Sequence, residues 1–165
     1  MQPEFFDLPV LRFVGLRVRG QEDELPDLLD MARSELARRL SEIGGVADAR
    51  VIYGLTRPNE PSVAPEEVVS HVGYEVASLA SAPDDMVAIA VPAGPYARFR
   101  WVGSLESEGF EAFYPAIFGA LKEARRVPSA ERPWLEVYDE RVHDWDDRGA
   151  STNQITVLIP LEAAA

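Results

Sequence analysis

One order of segments occurs twice along this chain: a strand, a helix and then two more strands, over residues 8–78 and again over 96–161. Alternation of apolar and polar residues predicts the strands, and apolar residues at intervals of three and four predict the helices. The segments of the first set are 8–19, 22–43, 50–56 and 68–78. We interpret the repetition as a structural duplication within a single domain over residues 1–165.

The second set follows a short apolar stretch at 86–91. Pro92-Ala93-Gly94-Pro95 joins this stretch to the strand at 96–102, which predicts a β-hairpin. Ser104 and the acidic residues after it can open the helix, and Pro115 lies inside the helical pattern, so we expect a kink or a late helix start there. Two strands that we expect to pair complete the set: 134–140 and 154–161.

The ratio of strands to helices indicates the fold class. Strands that do not alternate one for one with helices argue against a doubly wound parallel sheet. We therefore predict an α+β fold, a duplicated strand-helix-strand-strand module whose antiparallel sheet carries two main helices on one side. The other side would be free to form a concave site.

The charge balance limits the kinds of ligand that the chain is expected to bind. Asp and Glu outnumber Lys and Arg by 28 to 16, a formal net charge of −12, and no basic face compensates for it. Such a chain repels a phosphate backbone and favours cationic ligands, so we expect no direct nucleic-acid binding. There is no cysteine, no apolar run of membrane-spanning length and no secretory signal at residues 1–7. We expect a cytoplasmic protein without membrane association.

Standard catalytic and metal-binding patterns are missing from the sequence. His71 and His143 are far apart and lack carboxylates at ligand spacing, so we expect no metal. There is no phosphate-binding loop, dinucleotide fingerprint or Gly-x-Ser-x-Gly turn, and we expect no cofactor. The acidic run at 144–147 lacks the repeat of a calcium loop, and we interpret it as a solvated connection.

One stretch of the second set combines charge with aromatic residues. Because side chains alternate along a strand, Trp134, Glu136 and Tyr138 share one face. If Leu135 and Val137 pack under the helices, the opposite face presents a carboxylate between two aromatic rings. A desolvated carboxylate needs a positive charge or hydrogen bonds, and aromatic faces attract cations. A lipophilic cation would satisfy both requirements.

Two interpretations of this stretch stay open. Glu136 is either the acid of an aromatic pocket or a solvated residue on an exposed strand. In the first case, side chains from other elements would converge on Glu136, although each of them alone is more typical of the core. These are Tyr53, His71, Tyr74, Phe99, Trp101, Tyr114 and Trp145.

Several stretches in this order carry a family resemblance: Met-Val-Ala-Ile-Ala-Val-Pro-Ala-Gly-Pro-Tyr-Ala-Arg-Phe at 86–99, Trp-Val-Gly at 101–103, Phe-Tyr-Pro-Ala-Ile-Phe at 113–118, Trp-Leu-Glu-Val-Tyr at 134–138 and Ile-Thr-Val-Leu-Ile-Pro-Leu at 155–161. Together they resemble the GyrI-like small-molecule-binding domain, which is also the effector-binding domain of bacterial multidrug-responsive transcription activators. The resemblance covers nearly the whole chain and is strongest from Met86 onward.

The resemblance implies a barrel-like antiparallel sheet with a ligand in the groove between the two halves. It also implies that Glu136 lies at the pocket floor and meets cationic ligands, with Tyr138 beside it. The family's first half often carries a pocket tyrosine, and the matching position here stays open among Ser70, His71 and Tyr74. We expect no attached DNA-binding domain, so a role in transcription regulation would require a protein partner.

Three functions are compatible with this resemblance. We favour a stand-alone module that senses or sequesters hydrophobic, cationic drugs or metabolites around Glu136. The second is a hydrolase of strained cyclopropane-type toxins, in which Glu136 activates water. The third is a protein-interaction module of the gyrase-inhibitor kind, which an exposed apolar patch without an enclosed cavity would favour.

Overall fold

The computed structural model describes residues 1–57, 66–139 and 147–164. His143, Trp145 and the acidic run before Asp147 lie outside the described residues. The strands are β1 (Glu4–Leu8), β2 (Leu11–Gln21), β3 (Ile52–Thr56), β4 (Glu67–Glu75), β5 (Val87–Val91), β6 (Gly94–Val102), β7 (Trp134–Tyr138) and β8 (Gln154–Pro160). The helices are α1 (Leu25–Arg38), α2 (Glu108–Glu111) and α3 (Phe113–Glu123), and a 3-10 turn follows α1 at Leu40–Glu42.

The eight strands form one antiparallel sheet in the order β1-β6-β8-β7-β3-β4-β2-β5. If β2-α1-β3-β4 is matched with β6-α3-β7-β8, the strand order of the sheet is the same when it is read from either end. This symmetry supports the proposed duplication. The α+β class predicted from the sequence is confirmed. β3 pairs with β7, with Gly54 opposite Glu136, so the two sets of segments meet along this pair of strands. We call this β3–β7 pair the seam.

Two short links make the sheet curl into a barrel-like shape. Only Pro9 and Val10 separate β1 from β2, although these strands are first and seventh in the sheet. A flat sheet would put them about 29 Å apart, whereas such a link spans about 11 Å. Pro92 and Ala93 likewise join β5, the last strand, to β6, the second. The two ends of the sheet must therefore approach one another.

The β-hairpin predicted from 86–91 and 96–102 is wrong. β5 pairs with β2, while β6 pairs with β1 and β8. The reason is that residues 94–98 of β6 already pair with β1, a strand that the sequence patterns did not predict. The Pro92-Ala93 link therefore crosses from one end of the sheet to the other instead of reversing the chain.

Of the two outcomes expected at Pro115, a kink or a late helix start, the structure shows the late start. α3 begins at Phe113, so Pro115 lies in its first turn, where a missing backbone N–H costs no hydrogen bond. Ser104 does not cap this helix. The cap belongs to the preceding turn α2, where the hydroxyl of Ser107 accepts a hydrogen bond from the Phe110 N–H at 3.2 Å.

Both long helices lie on the same face of the sheet. Ala32 and Leu36 of α1 pack on β2 and β4, and Phe113, Ile117 and Leu121 of α3 pack over β6 and β8. The opposite face has its own core, which the curling of the sheet encloses: Phe13, Leu55, Val91, Tyr96, Leu135 and Leu158. Since each helix covers its own set of strands, the seam lies between α1 and α3.

Candidate ligand-binding site

The side chains of β7 alternate across the seam. Trp134, Glu136 and Tyr138 share one face, as predicted, but this is the face that carries the helices. The expectation that Leu135 and Val137 pack under the helices is therefore wrong, because they belong to the core on the opposite face. Both faces of β7 carry apolar residues, so either face could pack under the helices. The seam itself lies between α1 and α3.

Two tyrosine hydroxyls hold the carboxylate of Glu136. Tyr114 of α3 donates a hydrogen bond to Oε1, and Tyr138 donates one to Oε2. Gly54 lies opposite Glu136 across the seam, where a Cβ would be 3.5 Å from the Cβ of Glu136 and 3.5 Å from Cε2 of Tyr138. The glycine thus leaves space beside the carboxylate. Within the described part of the chain, no ion pair involves Glu136.

Aromatic rings form a wall on the α3 side of Glu136. The ring of Trp134 lies 6.5 Å from that of Tyr114, with the planes 22° apart, and 5.1 Å from that of Phe118. Tyr114 also contacts Phe110 and Phe113 edge-on, at 6.2 and 5.9 Å. A carboxylate and the faces of several rings therefore meet in one half-buried place.

Trp101 belongs to the outer part of the same aromatic cluster. Its ring lies 5.6 Å from Phe110 and 5.5 Å from Phe113. Gly103 and Gly109 pass close to the indole, where Cβ atoms would be 3.3 and 3.0 Å away. Trp101 therefore supports the rings that contact Tyr114, one layer away from Glu136.

Arg33 of α1 approaches Tyr138 from the other side. The guanidinium carbon lies 4.5 Å from the centre of the tyrosine ring, and Arg33 is only 4% exposed. Asp30 forms an ion pair with Arg33 and a second one, at 3.1 Å, with Arg148. Tyr138 thus donates a hydrogen bond to Glu136 through its hydroxyl, and the guanidinium of Arg33 covers one face of its ring.

Burial raises the pKa of both hydroxyls well above the usual value of a tyrosine. For Tyr114 and Tyr138, loss of hydration is the main cause, and the negative charge of Glu136 adds to it. The cations Arg33 and Arg148 lower the pKa of Tyr138, but by less. Both hydroxyls therefore remain protonated donors at neutral pH, directed at the carboxylate.

This arrangement predicts an unusual alkaline titration. Tyr53, Tyr74, Tyr96, Tyr114 and Tyr138 are all the tyrosines of the chain, and the pKa of each is raised, that of Tyr53 to about 12. We expect absorbance at 295 nm to show tyrosinate formation at higher pH in the folded protein than in urea, where the pKa is about 10. A Tyr138→Phe variant should lose one of the last groups to ionise, and a normal native titration curve would contradict the burial of these hydroxyls.

The same shifts make stability depend on pH. A tyrosine whose pKa is raised by folding holds its proton more tightly in the folded state than in the unfolded state. Its contribution is therefore fully present below about pH 10 and is lost as the pH rises through the folded pKa. These tyrosines should leave the midpoint of urea unfolding constant from neutral pH to about pH 9. Above pH 10 they should lower it.

The other predicted residues lie at varied distances from this centre. Tyr53 and His71 are on the face away from Glu136, since side chains alternate along β3 and β4; Tyr53 packs on Phe13 at 5.0 Å. Tyr74 shares the face of Glu136 but is 2% exposed in the core under α1, and Phe99 is 1% exposed in the core under α3. The side chains of Tyr53 and His71 therefore point away from the carboxylate, and those of Tyr74 and Phe99 belong to the two cores under the helices.

The strand register reduces the open choice among Ser70, His71 and Tyr74 to two residues. Ser70 and Tyr74 share the face of Glu136, and His71 does not. The hydroxyl of Ser70 donates to the Leu55 carbonyl at 3.1 Å and lies 3.1 Å from the hydroxyl of Thr56, at the end of the seam near Trp134.

Sequence reasoning missed Gly54, Arg33, Phe110 and Phe118 as parts of the site. Phe118 could have been found, because it stands four residues after Tyr114 and so lies on the same side of a helix. Nothing in the sequence pairs Gly54 with Glu136, since that contact depends on the register of β3 against β7. No cluster of three or more metal-ligating side chains occurs within 1–57, 66–139 and 147–164. In those same ranges no helix has the length and apolar character needed to cross a membrane.

A curled antiparallel sheet with two helices on one face makes this chain an α+β domain. The sequence pattern of the GyrI-like small molecule binding domain matches residues 1–162, and the chain belongs to this family. No curated protein matches the sequence.

Solved structures share the fold at low identity. SAV2435 bound to tetraphenylphosphonium is 10% identical, with a TM-score of 0.70 over 99% of this chain and 95% of that chain. The C-terminal domain of EcmrR is 11% identical, with a TM-score of 0.69 over 99% and 98%. An integron cassette protein from Vibrio cholerae, VCH_CASS2, is 14% identical, with a TM-score of 0.59 over 98% and 96%.

Proposed function

We propose that this protein binds lipophilic organic cations at the seam between α1 and α3, with Glu136 as the anionic anchor. One observation carries the proposal: the carboxylate of Glu136 has hydrogen bonds from Tyr114 and Tyr138 but no ion pair among the described residues. A carboxylate that is partly removed from water needs hydrogen bonds or a positive charge to compensate for its lost hydration. A half-buried carboxylate with no ion pair in the part of the chain that the structure describes is a suitable partner for a cation.

The surrounding rings suit a cation with an apolar body. Aromatic faces attract cations and bury hydrocarbon at the same time. Since Arg33 covers one face of the Tyr138 ring, the ligand would stack on Trp134 and Tyr114 instead. The similar fold of SAV2435, whose structure contains tetraphenylphosphonium, supports this choice of ligand class.

The biological role that we propose is sensing or sequestration of such compounds in the cytoplasm. EcmrR, whose C-terminal domain shares the fold, has also been solved in complex with DNA and RPo. For this chain we propose that any regulatory output passes through a protein partner, because its net charge of −12 opposes direct contact with DNA.

Binding is favoured over hydrolysis by the same two hydrogen bonds. Both oxygens of Glu136 accept a hydrogen bond from a tyrosine hydroxyl, and these bonds compete with a water molecule for the carboxylate. Incubation with an aryl cyclopropanecarboxylate ester is therefore expected to release no acid above the rate in buffer. Release that depends on Glu136 would replace binding with hydrolysis as the function.

The direct test is a fluorescence titration with tetraphenylphosphonium and with neutral triphenylphosphine oxide. Trp134 stacks beside Tyr114, so occupation of the site should quench tryptophan emission. We expect saturable quenching by both compounds, with affinity at least about tenfold higher for the cation, because only the cation gains from the charge of Glu136. Equal affinities would contradict the proposal.

Gly54 offers a second test that leaves the charge in place. A valine at this position would direct its methyl groups at the carboxylate, since a Cβ already lies 3.7 Å from Oε2 of Glu136. We expect Gly54→Val to weaken tetraphenylphosphonium binding by about tenfold or more. The control is Gly54→Ala, whose Cβ meets only ordinary contacts and should bind nearly as the wild type does. Equal binding by all three proteins would place the ligand elsewhere.

A further inference from the structure

A groove lies at the C-terminal end of α3, and of the rings beside Glu136 it is Phe118 that also lines this groove. It has a volume of about 460 Å³, within the range of sites for small molecules. Its apolar part comes from Phe118, Leu121 and Val127, and Val127 is 55% exposed. Its remaining part is basic. We call it the α3-end groove.

The charge of the α3-end groove is opposite to that of the protein. The groove is lined by Lys122, Arg125 and Arg126, and no acid lines it. The chain as a whole has a net charge of −12, and Lys122 is the only lysine of the chain. Several other arginines form ion pairs with acids, as Arg39 does with Glu42 and Asp85. No ion pair joins the three cations of the groove to an acid in residues 1–57, 66–139 and 147–164.

The backbone at Arg125 gives an independent indication. α3 ends in a Schellman motif, in which Arg126 N–H donates to the Leu121 carbonyl at 2.9 Å and Arg125 N–H to the Lys122 carbonyl at 3.0 Å. This motif requires a left-handed residue, which is usually glycine, and here Arg125 takes it with φ of 54°. Such conformations are costly for residues with a Cβ and cluster at functional sites. The side chain of Arg125 is therefore retained at a cost to the helix end.

Arg126 is held in place beside the groove. Its guanidinium carbon lies 4.9 Å from the ring centre of Phe5, so the side chain is oriented without an acid. Its charge is thus left for a ligand.

We propose that the α3-end groove binds a small amphiphilic anion. The apolar body of the ligand would lie against Phe118, Leu121 and Val127, and its carboxylate or sulfonate would lie among the three cations. Arginine and lysine form strong charge-assisted hydrogen bonds with such groups, and a desolvating apolar wall strengthens them. The ligand class is opposite in charge to that of the Glu136 site.

The test uses 8-anilinonaphthalene-1-sulfonate, a fluorescent amphiphilic anion, with the full chain. We expect saturable binding that weakens at least about fivefold in Lys122→Ala and in Arg125→Gly, and that weakens as salt increases. Arg125→Gly is the sharpest variant, because glycine suits the left-handed position and should raise the melting temperature by about 2–4 °C. A loss of binding in a more stable protein cannot come from unfolding.

Three controls separate this groove from the Glu136 site and from general charge effects. Glu136→Gln should leave binding of the dye unchanged, and Arg125→Gly should leave binding of tetraphenylphosphonium unchanged. Arg50→Ala removes an exposed arginine elsewhere and should have no effect on the dye. Unchanged dye binding in Arg125→Gly, or an equal loss in Arg50→Ala, would overturn the proposal, as would tighter binding of an acidic peptide than of the dye.

Discussion

Glu136→Gln is expected to weaken the binding of tetraphenylphosphonium by about tenfold to a hundredfold, about 1.5–3 kcal/mol. The variant keeps the shape of the side chain and removes its charge. The amide also presents a donor to one of the two tyrosine hydroxyls, Tyr114 or Tyr138, so the arrangement that holds the carboxylate is disturbed. Calorimetry and tryptophan quenching both measure the loss.

The neutral analogue distinguishes charge from shape in this experiment. Triphenylphosphine oxide should lose less than about threefold in affinity on Glu136→Gln, since it gains little from the carboxylate. The matched control is Glu75→Gln, which removes a strand glutamate from the face that carries Tyr53. If both ligands lose affinity equally in Glu136→Gln, the effect is one of packing and the acid is not the anchor.

Gly15→Ala should destabilise the fold by more than about 3 kcal/mol. β2 and β4 pass closely at Gly15 and Gly73, and a Cβ on Gly15 would lie 1.8 Å from the Val72 carbonyl oxygen and 2.6 Å from Cα of Gly73. The obstacles are backbone atoms, which cannot rotate away as the end of a side chain can. The two strands would have to separate, and the core under α1 would separate with them.

Urea unfolding measures this loss, and the same substitution elsewhere provides the control. Gly119 lies on the exposed side of α3 with no atom within 4 Å of a Cβ, so Gly119→Ala should stabilise the protein by up to about 1 kcal/mol through helix propensity. A Gly15→Ala variant as stable as the wild type would show that β2 and β4 do not pass closely at Gly15.

Much of the fold follows from the periodicity of the sequence. The extended apolar stretches of β4, β6 and β8 located these strands to within a few residues, although β4 and β8 are buried on both faces and their burial does not alternate. The pairing of the strands was harder to predict from the sequence. The turn at Pro92-Ala93-Gly94-Pro95 marks a change of direction but does not specify which strand will lie beside β6. β1 escaped prediction because it is only five residues long and its Phe5 is exposed.

The site was predictable in its local part only. The period of a strand is sufficient to group Trp134, Glu136 and Tyr138, since that grouping needs no knowledge of the fold. It does not say which face the helices cover, because Leu135 and Val137 are apolar and are covered too, by the curled sheet itself. The partners of Glu136 come from other elements, and their approach is decided by register and by helix placement.

The two-residue links have a consequence for how the chain can be divided. A cut between β4 and β5 would leave each fragment holding a strand that belongs on the other: β1 pairs with β6, and β5 pairs with β2. The fragments would depend on each other as the protomers of a strand-swapped dimer do, with unpaired edges until they meet. In the intact chain, β1 must likewise wait for a partner about 90 residues later in synthesis, so folding cannot be completed from the N-terminal fragment alone.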